Sequence, residues 1–273
     1  MRLRCPVCRE PLSAPVTARG PLHCPQGHSF DQAKQGYAQL TARPLVHTGD
    51  TPEMVVAREA FLTAGHFRPI TEALAGFAGV GAGGLIVDIG AGTGHHLAAM
   101  LDAAPDALGL ALDASKASAR RAARAHDRMD AVIADAWQPL PIQDAAASVL
   151  VNVFAPRTGA EFARVLDPGG VLIVVTPQPR HLGELIEPLA LLQVDPAKPD
   201  RVAAELGAWF RPDGMQHLEW TMHLSRPDVT ALVGMGPSAW HADRDGRARA
   251  IAALPEPMAV TATVAVSRYL PLR

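Results

Sequence analysis

The sequence predicts an α/β protein, with a mostly parallel sheet covered by helices on both faces and a small metal-binding segment at the N-terminus. Three observations support this prediction. The short apolar run Leu85–Ile89 leads into a turn with three alternating glycines. After it, β-branched runs alternate with helical stretches and Gly or Pro turns, which is typical of a doubly wound sheet. All three cysteines lie within the first 24 residues.

Length and composition indicate a globular protein of one ordinary domain and an appendage. The chain has 273 residues, of which 48% are hydrophobic and 19% charged. No apolar run is long enough to span a membrane, and residues 1–5 lack the apolar core of a signal peptide. We therefore expect a cytoplasmic protein. Because the net charge is −2, nucleic-acid binding would need a local basic patch.

The N-terminal cysteines have the spacing of a zinc site. Cys5, Cys8, Cys24 and His28 read Cys-x2-Cys-x15-Cys-x3-His, which can close a tetrahedral Cys3His centre. Gly27 leaves the second knuckle free to adopt a positive φ. The alternative is that these are ordinary buried or free cysteines, or a redox pair. Zinc is favoured because so short a segment with few apolar residues cannot build a core unaided.

We expect residues 1–45 to form this zinc-binding domain and residues 46–273 to form the α/β domain. The first 45 residues carry six basic side chains against two acidic ones. Such a surface suits a polyanion, although a solvated basic face without a partner is the alternative. Residues 41–51 are the expected linker.

Two helices should follow the linker. Thr51 is a good N-cap, Pro52 suits the first helical position, and Gly65 offers a stop. A second helix is expected over residues 69–77. Both helices either pack beside the ligand pocket, form a subunit contact or merely cover the sheet.

The glycine turn is the expected ligand site. Glycines allow a tight turn and close approach of a ligand, and the next helix, at about 95–102, aims its free N–H groups into the same space. The spacing is G-x-G-x-G and not the G-x-G-x-x-G of dinucleotide sites, which favours S-adenosylmethionine (AdoMet) and disfavours a dehydrogenase. The residues concerned are Asp88, Gly90, Gly92, Thr93 and Gly94.

The next strand, 108–112, ends at Asp113, 19 residues beyond Gly94. An acid at a strand exit can accept hydrogen bonds from both ribose hydroxyls, the alternative being a loop or N-cap role. The basic helix expected at 115–126 is interpreted as a solvated face. The third strand and its exit are expected at 132–137.

The remaining elements complete the alternating pattern. In chain order they are a strand at 147–154, a helix at 160–165, a turn at 167–170, a strand at 171–176, a helix at 181–192, a strand at 216–224, a helix at 227–235 with Ser225 or Arg226 near its cap, and a strand at 258–269. The last two strands can pair as an antiparallel hairpin at the end of the sheet.

Several motifs resemble the bacterial 23S rRNA guanine-N1 methyltransferases. They are Cys-Pro-x-Cys at Cys5–Cys8, Cys-Pro-x-Gly-His-Ser-Phe-Asp-x-Ala-Lys-x-Gly-Tyr at Cys24–Tyr37, Asn152–Pro156, His181–Leu185 and Met235–His241. The resemblance covers essentially the whole chain. Gly-Thr-Gly-His-His and Gly-Pro-Ser-Ala-Trp-His look more like the type II, tylosin-resistance branch than the type I branch.

This resemblance implies a Rossmann-like AdoMet-dependent methyltransferase domain with a mostly parallel seven-stranded sheet. It places Phe67 and His181 near the cofactor, and Asp135 and Ala136 at the adenine. The family has a tyrosine at the position of Phe67, so a hydroxyl contact is missing here while stacking can survive. The zinc is expected to be structural, because four protein ligands leave no open position.

The implied reaction is methyl transfer to N1 of a guanine in hairpin 35 of 23S rRNA. Guanine N1 lies on the Watson–Crick edge, so the base must be unpaired or extruded, and in-line positioning supplies much of the rate. Asp135, His181 and Glu184 are candidates to accept the N1 proton. Asn152, also a catalytic candidate, or the carbonyls at Phe154–Pro156 would orient the base.

The type II resemblance predicts nucleotide 748 as the target and tylosin resistance as the outcome. The alternatives are the type I target at nucleotide 745, a small-molecule methyltransferase with a zinc appendage, and a non-catalytic zinc-ribbon RNA-binding protein. We expect an rRNA hairpin as partner, no membrane, and a homodimer as one assembly. Trp240, in the loop 236–241, is expected either to stack on a base or to pack in the core.

Overall fold

The computed structural model describes residues 2–14, 20–45, 49–78, 84–195, 198–236 and 244–272. The strands are β1 Leu22–His23, β2 Ser29–Phe30, β3 Tyr37–Gln39, β4 Leu85–Ile89, β5 Leu108–Asp113, β6 Met129–Ile133, β7 Ala147–Val153, β8 Leu166–Pro177, β9 Phe210–Leu224 and β10 Met258–Pro271. The helices are α1 Pro52–Thr63, α2 Arg68–Ala78, α3 His95–Ala103, α4 Lys116–Ala122, α5 Gly159–Val165, α6 Gly183–Leu189, α7 Lys198–Gly207, α8 Arg226–Gly234 and α9 Arg244–Ala252.

The main sheet has the strand order β3-β6-β5-β4-β7-β8-β10-β9. The pairs from β3 to β8 are parallel, and β10 is antiparallel to both β8 and β9. The predicted seven-stranded sheet is therefore present, and β3 from the N-terminal segment extends it by one strand. The chain moves outward from β4 first through β5 and β6 and then through β7 and β8. This reversal creates a crevice at the carboxyl ends of the central strands, where α/β proteins bind ligands.

Each face of the sheet has its own hydrophobic core. One face is covered by helices α1 to α4, α6, α8 and α9, with Phe61, Ile70 and Leu74 among its buried residues. The other is covered by α5, α7 and the N-terminal segment, which contributes Leu3 and Leu22. Strand β4 is buried over its whole length, which explains its nearly continuous apolar sequence.

The N-terminal segment is attached to the α/β domain along the sheet. Tyr37, Ala38 and Gln39 pair in parallel with residues 131–133 of β6. Leu3 forms an isolated bridge to Ile142. The metal-binding segment and the large domain therefore share backbone hydrogen bonds as well as a core.

The predicted helix caps are confirmed. Thr51 accepts a hydrogen bond from the backbone N–H of Met54 at 3.3 Å, and Pro52 occupies the first turn of α1. Ser225 caps α8 in a capping box with Asp228. Local residue types thus predicted where these two helices begin.

Four predicted boundaries were wrong. The basic helix α4 ends at Ala122 and not at residue 126. The third strand is β6, Met129–Ile133, because it pairs with β5 from its start, and residues 135–137 form the turn beyond it. Helix α6 covers Gly183–Leu189 and not 181–192, since Leu182 and Ala190 adopt left-handed conformations at its two ends. Strand β9 begins at Phe210, because it pairs with β10 along its full length.

Other elements differ from expectation in kind. The predicted turn at 167–170 lies inside β8, at a register irregularity opposite Ala147–Val149, and Asp167 accepts a hydrogen bond from Gly169 N–H. Helices α7 and α9 were not predicted. Helix α9 is polar and has little apolar periodicity, while α7 buries only Val202 and Leu206 among its described side chains, which is too short an apolar pattern to predict a helix.

Candidate functional site

Four predicted metal ligands come together in the N-terminal segment. The ligand atoms of Cys5, Cys8, Cys24 and His28 all lie within 4.8 Å of one another. Cys8 Sγ is 3.6 Å from Cys24 Sγ, and Cys24 Sγ is 3.3 Å from His28 Nδ1. Sulfur ligands around a tetrahedral zinc would be separated by about 3.8 Å, given a Zn–S distance of about 2.3 Å. The donor set and its spacing therefore fit zinc.

Backbone hydrogen bonds hold both halves of this centre. Arg9 N–H donates to the Cys5 carbonyl at 2.9 Å, and Cys24 N–H donates to the His28 carbonyl at 3.1 Å. Gly27 has φ +83°, as its place in the second knuckle predicted. The ligands are consequently presented by two tight turns.

A cavity of about 530 Å³ lies at the carboxyl ends of the central strands. Its size is within the range of small-molecule sites. Seven of the ten predicted cofactor residues line it, namely Phe67, Gly90, Gly92, Asp113, Asp135, Ala136 and His181. The other three, Asp88, Thr93 and Gly94, lie outside its wall.

The glycine turn between β4 and α3 needs its glycines both for their backbone conformation and for packing. Gly90, Gly92 and Gly94 all have positive φ. A Cβ on Gly90 would lie 2.5 Å from the Cβ of Ala155, and one on Gly94 would lie 3.2 Å from Ala122. The turn therefore packs against the exit of β7 and against α4. Gly94 contacts α4 and does not line the cavity.

Asp113 links the second strand to the glycine turn. Its Oδ2 accepts a hydrogen bond from Gly92 N–H at 2.8 Å, and its Oδ1 accepts one from Ser115 N–H at 2.7 Å. Burial raises the pKa of Asp113, while these two N–H donors act against the rise. Each oxygen keeps a second acceptor position, so the side chain can still receive ribose hydroxyls.

Asp88 lies beneath the turn. It is only 2% exposed, and its Oδ1 has no hydrogen-bond partner among the described residues. Burial, and secondly the charge of Asp113, raise the pKa of Asp88 to about 7. An unsatisfied buried carboxyl oxygen next to a ligand cavity is an acceptor held ready for a donor.

Asp135 and Ala136 form the wall of the cavity at the exit of β6. Asp135 Oδ1 accepts from Trp137 N–H at 2.9 Å, and Oδ2 accepts from Gln138 Nε2 at 3.3 Å. The carboxylate is therefore fixed by its own turn and presents an acceptor to the cavity. Such a group suits the exocyclic amine of an adenine.

Aromatic rings form another part of the wall. The ring of Phe67 lies 6.2 Å from Phe154, 6.1 Å from His181 and 6.2 Å from Trp220, measured between centroids. Phe154 has φ +53°, which is unusual for a bulky residue, and its side chain is 39% exposed. The sequence indicated a role only for the carbonyls at Phe154–Pro156, because nothing in a Val-Phe-Ala-Pro run predicts a left-handed backbone.

His181 is tied to strand β10. Thr263 N–H donates to His181 Nδ1 at 3.2 Å. In the neutral ring this leaves the proton on Nε2, so that nitrogen is a donor. His181 lines the cavity, and its Nδ1 is already occupied as a hydrogen-bond acceptor.

Asn152 and Glu184 lie away from the cavity wall. Asn152 is fully buried, and its Nδ2 donates to the carbonyls of Pro156 at 2.8 Å and Ile89 at 3.4 Å. Glu184 accepts from the backbone and side chain of Thr261, and these hydrogen bonds outweigh burial and lower its pKa. Asn152 thus connects the exit loop of β7 to β4, while Glu184 fixes α6 on β10.

One ion pair in the wall was not predicted. Arg58 of α1 donates to Asp50 Oδ2 at 2.7 Å and to the Met235 carbonyl at 3.0 Å. Arg58 and Asp50 both line the cavity. Of the alternatives for α1, the structure favours packing beside the pocket. A basic residue on an otherwise ordinary helix carries no sequence signal for this position.

Two further observations bear on the predictions. Residues 237–241, including Trp240, lie outside the described residues. Among the residues that the structure describes, no helix is long and apolar enough to cross a membrane.

Comparison with known proteins gives matches over both parts of the chain. Residues 3–42 match the family model described as "RlmA, N-terminal", and residues 86–170 match a methyltransferase domain. The chain resembles the crystal structure of the [4+2]-cyclase SpnF with a TM-score of 0.52 and 19% identity, covering 75% of this chain and 82% of that one. This likeness concerns the fold alone.

Two curated relatives extend over nearly the whole length. A Micromonospora griseorubida protein, provisionally named a 23S rRNA (guanine-N(1)-)-methyltransferase, is 52% identical over 99% of this chain and 97% of its own. The 23S rRNA (guanine(748)-N(1))-methyltransferase of Streptomyces fradiae is 48% identical, with the same coverage. The zinc-ribbon match, the AdoMet-type methyltransferase fold and these full-length identities lead to one conclusion: the chain belongs to the 23S rRNA (guanine-N1)-methyltransferase family.

Proposed function

We propose that this protein transfers a methyl group from AdoMet to N1 of the guanine at nucleotide 748, in hairpin 35 of 23S rRNA, and thereby confers tylosin resistance. The observation that carries the proposal is the 48% identity, over 99% of the chain, to the Streptomyces fradiae enzyme named for that nucleotide. The cavity at the carboxyl ends of β4 to β7 supports it, because its wall suits a nucleoside ligand.

The cofactor is proposed to occupy this cavity beside the glycine turn. Asp113 would accept the ribose hydroxyls, and Asp135 with Ala136 would meet the adenine. Gly90 and Gly92 keep the backbone accessible, while Phe67 and His181 form part of the aromatic wall. AdoMet supplies a methyl group that its sulfonium charge has already activated. Thr93 and Gly94 would act from behind the wall by holding the shape of the turn, while Asp88 would offer its unsatisfied carboxyl oxygen to a donor.

The target base is proposed to enter past the exit of β7. There Phe154 presents a partly exposed ring that lies beside both Phe67 and His181. The guanine must leave its helix to reach the cavity, and an aromatic surface compensates for the stacking that it loses. Asn152 would act as a positioning residue, since its two hydrogen bonds fix the loop that carries Phe154.

We propose that positioning, and not a side-chain base, supplies most of the rate. Asn152 is neutral and buried, His181 Nδ1 already accepts a hydrogen bond, and Glu184 is bound to Thr261. Asp135 is committed to its own turn and to the adenine. The N1 proton would then pass to water, and alignment of the reacting atoms would lower the barrier.

We propose that residues 1–45 form a zinc ribbon that recognises the RNA. Residues 46–273 would form the methyltransferase domain. The basic character of the first segment supports this role. Because β3 pairs with β6, the ribbon is held in a defined place beside the reaction site. Zinc would stabilise the ribbon, with no open position for catalysis.

Incorporation of labelled methyl groups tests the enzyme class. The zinc-loaded protein is incubated with labelled AdoMet and 23S rRNA from a strain that lacks the modification. Labelled RNA is expected. Absence of label in RNA, with transfer to a small molecule, would favour a small-molecule methyltransferase, whereas RNA binding without AdoMet binding would favour a non-catalytic protein.

Primer extension through hairpin 35 tests the nucleotide. An N1 methyl group blocks pairing, so reverse transcriptase should stop next to nucleotide 748, and a stop next to nucleotide 745 would identify the type I target instead. We further propose action in the cytoplasm, where the substrate is found. The expected homodimer remains a prediction, which sedimentation of the full chain would test.

A further inference from the structure

A second groove lies beside the cofactor cavity, on the side of the zinc ribbon. It has a volume of about 730 Å³. Its walls come from the first zinc knuckle, from the segment after β3 and from the turn after β6, and they include Cys5, Val7, Arg9, Arg43, Asp135 and Trp137. Ala134, Asp135 and Trp137 line both the groove and the cofactor cavity. The two spaces therefore share a wall.

The groove has a surplus of positive charge. Arg9 and Arg43 are exposed and form no ion pair with any residue in the described part of the chain. Arg4 also lines the groove, but its guanidinium pairs with Asp144 and Glu161. The lining acid, Asp135, already accepts the N–H of Trp137. Two uncompensated guanidinium groups in a groove suit a phosphate backbone.

The shared wall carries an exposed aromatic ring. Trp137 is 56% exposed, and Val7, in the same groove, is 53% exposed. The hydrogen bond from Trp137 N–H to Asp135 Oδ1, at 2.9 Å, holds the backbone beneath the ring. A tryptophan held on a fixed turn can stack on an unpaired base with little loss of entropy.

We propose that this groove binds the RNA nucleotides that flank the target guanine, with Trp137 stacked on one flanking base and with Arg9 and Arg43 on phosphates. The inference rests on the proposed rRNA methyltransferase activity and deepens it by naming the surface that holds the strand. The shared wall lets one nucleotide lie in the groove while its neighbour enters the reaction cavity. The zinc ribbon contributes by fixing Arg9, whose N–H is bound to the Cys5 carbonyl.

Titration of a hairpin 35 RNA tests the charged part of the proposal. The zinc-loaded double variant Arg9→Ala/Arg43→Ala should bind the RNA about tenfold more weakly, and the slope of log affinity against log salt should become shallower by about 2. Its affinity for AdoMet, measured by calorimetry, should equal that of the wild type. The matched control is Arg120→Ala on α4, which removes an exposed arginine that lines a different groove.

Trp137 variants test the stacking. Trp137→Ala should weaken RNA binding by about 5- to 150-fold, and Trp137→Phe should restore most of it. Wild-type RNA affinity in both Trp137→Ala and the arginine double variant would overturn the proposal, as would an equal loss in Arg120→Ala. If the wild type methylates 23S rRNA and these variants bind it normally, only the groove assignment fails. If the wild type methylates no rRNA, the proposed function itself fails.

Discussion

The metal centre and the cofactor cavity are built from the chain in different ways. The metal centre takes its four ligands from Cys5–His28, and two tight turns present them. The cavity collects Phe67, Gly90, Asp113, Asp135 and His181 from four different strand exits and a helix junction. A local site needs only the right spacing, whereas the cavity exists only when the sheet is assembled. Loss of one cavity residue should therefore change affinity, while loss of one zinc ligand should remove the centre.

Removing a zinc ligand is expected to have the largest effect. Cys24→Ser should abolish stoichiometric zinc binding, since structural zinc contributes about 10–16 kcal/mol in small zinc-binding peptides. RNA binding should fall far more than AdoMet binding, because the cavity lies in the other part of the chain. Metal analysis, RNA titration and calorimetry measure these quantities.

The control for this variant is Ser29→Ala, an exposed position in the same segment. It should keep zinc and RNA binding. Equal loss of RNA and AdoMet binding in Cys24→Ser would show that the two regions are not separable. The pairing of β3 with β6 is the contact through which such coupling would pass.

The carboxyl group beneath the cavity should make stability depend on pH. The pKa of Asp88 is raised from 3.8 to about 7 in the folded chain. The folded state therefore holds a proton that the unfolded state releases, and Asp88 lowers stability progressively as pH rises through this window, by up to about 4 kcal/mol above it. Asp88→Asn should remove this loss. Urea unfolding without cofactor should show a gain for the variant at pH 8 and much less at pH 5, and an equal difference at both pH values would contradict the assignment.

A β-branched residue at the first glycine should break the cavity and spare the metal centre. Gly90 has φ +77°, and a Cβ there would lie 2.5 Å from Ala155. Backbone strain of about 1–3 kcal/mol adds to this collision, so Gly90→Val should weaken AdoMet binding by about 100-fold or more at unchanged zinc content. Gly76→Ala is the control, because a Cβ in that helix meets nothing within 4 Å. Normal AdoMet affinity in Gly90→Val would contradict the site.

Two variants of Asp113 distinguish the role of its charge from that of its acceptor oxygens. Asp113→Ala removes the acceptor for Gly92 and Ser115 N–H as well as the proposed ribose contact, so AdoMet affinity should fall by about 10- to 100-fold. Asp113→Asn keeps one acceptor oxygen and should lose less. Similar losses in both variants would show that the charge, and not the acceptor geometry, is what the site uses.

His181 gives the smallest expected effect. If it positions groups and does not accept the N1 proton, His181→Asn should lower kcat by about tenfold and leave the shape of its pH profile unchanged. Loss of an inflection near neutral pH in the variant would instead identify His181 as the base.

The sequence predicted the local features well. The Cys and His spacing brought the correct ligand atoms together, Thr51 and Ser225 cap their helices, and β4 has the predicted bounds. Each of these depends on residues within a few positions or on one strong pattern. The same holds for the placement of Asp113 at the cavity, because this residue ends a well-defined strand, β5.

Features that depend on tertiary contacts were missed. The addition of β3 to the main sheet, the left-handed Phe154 and the Arg58–Asp50 pair leave no local pattern. The glycine turn is a further example. Gly94 was predicted to contact the ligand, but the structure explains this glycine by its packing against α4. The spacing of the glycines indicated where the cofactor should lie. Only the assembled sheet shows which of these residues line the cavity and which support it from behind.

The most direct test of this account is mass spectrometry of the hairpin 35 fragment after reaction with the purified protein and AdoMet. One added methyl group on N1 of guanine 748 is expected with the wild type, and none with Gly90→Val. A methyl group on another nucleotide or another atom, or an unmodified fragment with fully zinc-loaded wild type, would contradict it.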